Sequence, residues 1–153
     1  MDISKFKHTH QLKVRNYEID WQGIVHNGNY LLYFEISRVE YLKQIGLNLD
    51  ERSISGSVRI VLVRIEIDYL NSATFDDQLM VYTRISSIKN SSFVCEGYMI
   101  NAEKNIPIAK NVATLVWTDP KTGKSTPVPN EFRKLVDKYE GGDAKILWPA
   151  TVV

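Results

Sequence analysis

The run Tyr30-Leu31-Leu32-Tyr33-Phe34-Glu35-Ile36-Ser37-Arg38-Val39-Glu40-Tyr41-Leu42-Lys43-Gln44-Ile45-Gly46 decides the fold, because its apolar residues repeat with a helical period in a chain that otherwise alternates. Tyr30, Phe34, Ser37, Tyr41 and Ile45 recur at three- and four-residue intervals, while Leu31, Ile36 and Leu42 widen the apolar face beyond an ordinary surface stripe. The spacing predicts a helix buried on most sides. It should stop near Gly46, where glycine takes a left-handed cap at little cost.

Outward from this helix the chain reads as strands. Before it, Leu12 to Asp20 alternates moderately, and Trp21 to Asn29 carries the Gly and Asn residues of a turn and helix entry. After it, Val61, Val63, Ile65, Ile67 and Tyr69 alternate with Leu62, Arg64, Glu66 and Asp68, the cleanest strand pattern in the chain and that of a half-buried strand. Further strands are predicted over Gln78–Ser87, Ser92–Ile100 and Ile106–Trp117, the first two joined by a hairpin through Lys89-Asn90-Ser91. Glu131–Tyr139 suits a short closing helix, and Gly141-Gly142 then releases a tail. One early helix among five strands implies an α+β domain in which the helix covers a mostly antiparallel sheet of about five strands. Such a sheet has open edges, and a second copy of the chain is the natural cover for one.

Composition narrows the function classes. The chain has 153 residues, 44% hydrophobic and 24% charged, with 19 Lys+Arg against 18 Asp+Glu and a formal charge of +1. These are the proportions of one globular domain over residues 1–153, with a core at about 10–136 and an extension at 137–153. So balanced a charge gives no reason to expect a nucleic-acid partner, which needs many unopposed cations. No apolar run reaches the roughly 18 residues of a membrane span, and Met1 to His10 lacks the apolar core of a signal peptide. Cys95 is the single cysteine, so a cytoplasmic location with reduced thiols is expected and a buried apolar role for Cys95 with it. His8 and His10 have no third ligand at metal-binding spacing and sit in an N-terminus expected to be mobile, so no metal site is expected.

Asp20 is the carboxylate that bears on chemistry, because it stands seven residues before the start of the helix. The first four N–H groups of a helix have no internal partners and carry roughly half a positive charge, which can polarise a carbonyl oxygen. An acid beside such a carbonyl either attacks it or takes a proton from an attacking water. The alternative is that Asp20 only caps a turn. Glu35 and Arg38, three apart, suit a structural ion pair on one helix face.

The stretch Asp20-Trp21-Gln22-Gly23-Ile24-Val25-His26-Asn27-Gly28-Asn29-Tyr30, continuing to Phe34-Glu35-Ile36-Ser37-Arg38, resembles the signature of hotdog-fold acyl-CoA thioesterases of the 4-hydroxybenzoyl-CoA thioesterase-like branch. The resemblance extends to Glu66–Leu70, Asp77–Val81 and Pro127-Val128-Pro129. It implies a long central helix wrapped by the sheet, and hydrolysis of an acyl or aroyl thioester to free acid and coenzyme A. Asp20 would be the catalytic carboxylate, with the backbone N–H of Asn27 and the adjoining Gly28 supporting the thioester oxygen. Asn27 stands where many relatives carry His or Tyr, a change that a backbone donor tolerates. Gly23, Ile24, Val25, His26 and Tyr30 would line the substrate, and Lys89, Asn90 and Ser92 would meet the nucleotide of coenzyme A. Coenzyme A enters as part of the substrate, with no metal or redox cofactor, and the assembly is expected to be a homodimer or a tetramer. Hydration of an enoyl thioester and noncatalytic acyl-thioester binding are the competing readings on the same fold.

Overall fold

The structure, a computed structural model, describes residues 2–49 and 59–150. In chain order these form β1 (His8–Lys13), α1 (Asn27–Gln44), β2 (Arg59–Tyr69), β3 (Gln78–Ile88), β4 (Ser92–Asn101), β5 (Ile106–Thr118), α2 (Asn130–Glu140) and β6 (Lys145–Ile146). Short 3-10 turns lie at Ile3–Lys5 and Asn16–Glu18. The strands hydrogen-bond in the order β1-β3-β4-β5-β2, and β6 joins β3 in parallel. β1 runs antiparallel to β3, from His8 opposite Thr83 to Lys13 opposite Gln78. This is the predicted α+β architecture, with one two-residue strand added by the tail.

Three expectations are corrected. The first strand is not Leu12–Asp20 but His8–Lys13, so the segment expected to be mobile is paired into the sheet. The chain leaves the sheet at Val14 and turns, because Glu18 folds back to accept the Arg15 N–H at 2.7 Å. Helix α1 keeps an exposed face of Leu32, Glu35, Ile36 and Val39 rather than being enclosed on most sides. Strand β2 has the predicted alternation but none of its residues is buried, since it ends the strand order, and adjacent Leu62 and Val63 are both exposed. By contrast β4 alternates strictly, with Phe93, Cys95, Gly97, Met99 and Asn101 buried.

The described chain divides into two compact units. The first comprises Met1–Tyr41, Glu66–Arg84 and Glu96–Val112. Its core sets Tyr30, Tyr33 and Phe34 of α1 against Leu79 and Val81 of β3, Met99 of β4, and Ile108 and Ala109 of β5. Each large apolar side chain so enclosed contributes about 1.5–3 kcal/mol. The hydroxyls of Ser37 and Thr83, 2.6 Å apart, tie helix to sheet inside it. Gly97 is required by a close approach: a Cβ there would stand 2.2 Å from Asn111 Oδ1 and 2.7 Å from the Phe34 ring.

The second unit comprises Leu42–Ile65, Ile85–Cys95 and Ala113–Val153. Phe132 of α2 packs on Phe93 and Trp117, with ring centroids 5.1 and 5.0 Å away. Beside it Arg133 is only 1% exposed. Its guanidinium donates to the carbonyls of Val128, Lys89, Asn90 and Leu147, joining the β3–β4 hairpin, the entry to α2 and the tail. Gly141, at φ 62°, ends α2 in the left-handed conformation expected of a glycine cap.

Candidate active site

The loop between Glu18 and α1 is organised by backbone donors. The Asp20 N–H donates to the Ile24 carbonyl at 2.9 Å, and the Gly23 N–H to the Asp20 carbonyl at 3.0 Å. Gly23 has φ 79°, a region that side chains rarely adopt, so the tight turn needs glycine as predicted. Asp20 Oδ1 accepts the Gln22 N–H at 2.8 Å. One carboxylate oxygen therefore holds the turn, which is the structural alternative weighed for Asp20, while the residue also lines an open pocket.

That pocket, about 570 Å³, lies entirely within the first unit. Its wall includes Asp20, Trp21, Ile24, Val25, His26, Asn27, Tyr30, Tyr69 and Leu70, and none of the described residues lining it is Lys or Arg. The sequence-predicted Ile24, Val25, His26, Asn27 and Tyr30 are thus brought together with Asp20. Val25 contributes mainly to the core, at 1% exposure. Gly23 and Gly28 are not in the wall, although Gly28 underlies it beside His26.

Helix α1 starts at Asn27, at the spacing from Asp20 read in the sequence. The Asn27 N–H has no acceptor among the described residues, as expected for the first turn of a helix. The next donor, Gly28 N–H, is shared by His26 Nδ1 and Asn27 Oδ1, both at 3.1 Å. Asn29 Nδ2 and the His26 N–H both donate to the Glu18 carbonyl at 2.9 Å, which fixes the loop on the helix. The Tyr69 hydroxyl donates to the Asn27 carbonyl at 3.1 Å. The Tyr30 hydroxyl accepts the Ala73 N–H at 3.0 Å. Burial pushes the Tyr30 phenol above its usual range, and the nearby Tyr69 and Asp20 push the same way.

Lys89, Asn90 and Ser92 belong to the second unit and do not line this pocket. Their hairpin is closed by the Lys89 N–H donating to the Ser92 carbonyl at 2.8 Å, with the Lys89 and Asn90 side chains exposed. Glu35 is exposed on α1 and Arg38 is buried. Tyr69, Trp21, Glu18 and Asn29 were not singled out from the sequence. The alternation that ends at Tyr69 was the available signal for the first, whereas Glu18 was hidden by its assignment to a strand.

Among the described residues no three His, Cys, Asp or Glu side chains converge as a metal-holding group. Cys95 is buried, as expected. No described helix is long and apolar enough to cross a membrane.

The sequence matches the thioesterase-like superfamily over residues 14–136. It is 32% identical over 87% of its length to 70% of a chloroplastic acyl-acyl carrier protein thioesterase, ATL2, of Arabidopsis thaliana. It is 28% identical over 76% of its length to 84% of the acyl-CoA thioesterase YbgC of Haemophilus influenzae. Among solved structures, a thioesterase from Thermus thermophilus complexed with coenzyme A and Zn is similar, with TM-score 0.78 and 27% identity over 90% of this chain and 96% of that one. With the Asp20 loop, the helix entry and strands β2 to β5 inside the matched span, the chain belongs to the thioesterase-like superfamily and is a hotdog-fold thioester hydrolase.

Proposed function

We propose that the chain hydrolyses an acyl-coenzyme A, with Asp20 as nucleophile or general base and the Asn27 and Gly28 N–H groups as the oxyanion donors. The observation that carries this reading is that Asp20 and Asn27 line one pocket and that the Asn27 N–H has no acceptor among the described residues. With Asp20 as base, water adds to the acyl carbon as Asp20 takes its proton, and the C–S bond breaks with the thiol leaving protonated. With Asp20 as nucleophile, the C–S bond breaks as an acyl-aspartyl anhydride forms, and water then cleaves the anhydride to free acid and Asp20. Trp21, Ile24, Tyr30, Tyr69 and Leu70 supply the apolar surface for an acyl or aroyl group. Lys89, Asn90 and Ser92 are proposed to contact the nucleotide of coenzyme A.

The working form is proposed to be a dimer or tetramer. Support comes from β2, which ends the strand order among the described residues and exposes Leu62, Val63 and Tyr69. A reducing compartment such as the cytoplasm suits the lone thiol.

The test is thiol release from coenzyme A thioesters of graded acyl length, and from the same acyl groups on acyl carrier protein, by the wild-type chain and by Asp20→Asn. The Asn side chain retains an oxygen to accept the Gln22 N–H, so the turn survives. Turnover should fall by about a hundredfold or more. Asp20→Asn activity within a few-fold of wild type would remove Asp20 from the mechanism, and faster release from acyl carrier protein would change the carrier.

A further inference from the structure

The second donor of the helix is already occupied. Gly28 N–H, one residue past the open Asn27 N–H, points to His26 Nδ1 at 3.1 Å. The imidazole lies directly over the glycine, since a Cβ built there would meet Nδ1 at 3.3 Å and Cε1 at 3.5 Å. A backbone N–H can only donate, so the nitrogen that accepts it carries no proton: the bond exists only with neutral imidazole in its Nε2–H form. Protonation turns Nδ1 into a donor facing a donor, and the contact is lost.

We propose that His26 is a positioning residue that acts as a proton-operated cover on the Gly28 N–H, masking this donor when neutral and releasing it to the thioester oxygen when protonated. This rests on the hydrolytic reading above and specifies how that site is regulated. The titratable groups sharing the pocket wall with the imidazole are Asp20 of the same loop, Tyr30 of α1 and Tyr69 of β2. Glu18, whose carbonyl holds the His26 N–H, directs its carboxylate toward the Arg15 guanidinium at 3.7 Å. Among the described residues no Lys or Arg lines the pocket wall beside the imidazole. Asn27 Oδ1 also accepts the Gly28 N–H and does not titrate, so release is partial. One weak hydrogen bond exchanged for one to the reacting oxygen corresponds to about a three- to fivefold change in turnover.

The experiment compares wild type, His26→Phe and His26→Asn. Phe keeps a ring without an acceptor, whereas Asn carries an oxygen at the position of Nδ1 that accepts at every pH. The kcat for product acid is measured from pH 5.5 to 8, alongside the Gly28 amide resonance of ¹⁵N-glycine-labelled protein. Expected is a wild-type kcat about three- to fivefold higher at the acid end, a flat high profile for His26→Phe and a flat low one for His26→Asn. The Gly28 resonance should titrate in wild type alone. His8 and His10 are present in all three proteins, so their titration cancels in the comparison. Parallel pH profiles in the three proteins, or a Gly28 resonance that ignores the imidazole, overturn the cover. Absence of hydrolysis by all three at every pH overturns the hydrolytic reading and Gly28's role as a substrate donor, while the resonance still decides whether His26 holds the amide.

Discussion

Gly97→Ala is the substitution whose cost can be worked most directly from the structure. The new methyl would stand 2.2 Å from Asn111 Oδ1 and 2.7 and 2.8 Å from two carbons of the Phe34 ring. Bonded geometry apart, such separations do not occur, so a neighbour must move. Phe34 is 1% and Asn111 3% exposed, which leaves neither an open side to retreat into. Overpacking of this kind costs about 1–3 kcal/mol, and two enclosed neighbours place it at the upper end. Relief of glycine's backbone entropy inside a strand returns about 0.5–1 kcal/mol. The net loss is about 2 kcal/mol, equivalent to about 4–8 °C in Tm for a chain of this size. Urea unfolding followed by tryptophan fluorescence measures it. Phe34→Leu in the same background removes the ring carbons that crowd the methyl, so the double variant should lose less than the sum of the singles. A Gly97→Ala loss below about 0.5 kcal/mol, or strict additivity with Phe34→Leu, would refute the packing argument.

Arg133→Met should cost about 3 kcal/mol, because it removes the guanidinium donor from the buried contact to the Val128 carbonyl and from part-buried contacts to the carbonyls of Lys89, Asn90 and Leu147, of which Asn90 keeps the Val128 N–H; a shift in urea midpoint equivalent to less than 1 kcal/mol would contradict this. His8 is 7% exposed and burial holds its imidazole below the ordinary 6.5, with neighbouring His10 adding to the effect and Glu40 opposing it. A base depressed on folding stabilises above its unfolded value and loses that contribution as pH falls through the folded one, so wild type should weaken on going from pH 7.5 to 5. His8→Phe, which keeps a ring against Tyr41, should weaken less over the same interval, and equal urea-midpoint shifts for the two proteins would remove His8 as the cause.

Local periodicity carried much of the architecture. Alternation over Gln78–Ile88, Ser92–Asn101 and Ile106–Thr118 reflects strands with one enclosed face, and the three- and four-residue spacing of Tyr30, Phe34, Ser37 and Tyr41 reflects one enclosed helix face. Both are repeats that a chain must show if each element buries one side. The Asp20-to-Asn27 spacing was legible for the same reason: a turn closed by Gly23 and a helix start leave local marks. What the tertiary structure alone decided depends on atoms distant in sequence or on competing donors. Strand β1 moved to His8–Lys13 because its pairing partner is Gln78–Thr83. β2 turned out exposed because strand order, which no local pattern encodes, puts it at an edge. Arg133 became a buried clamp because four carbonyls from three segments converge on it. The state of the Gly28 N–H belongs to the same group, since residue types say that a helix has free donors but only coordinates say which one His26 has claimed.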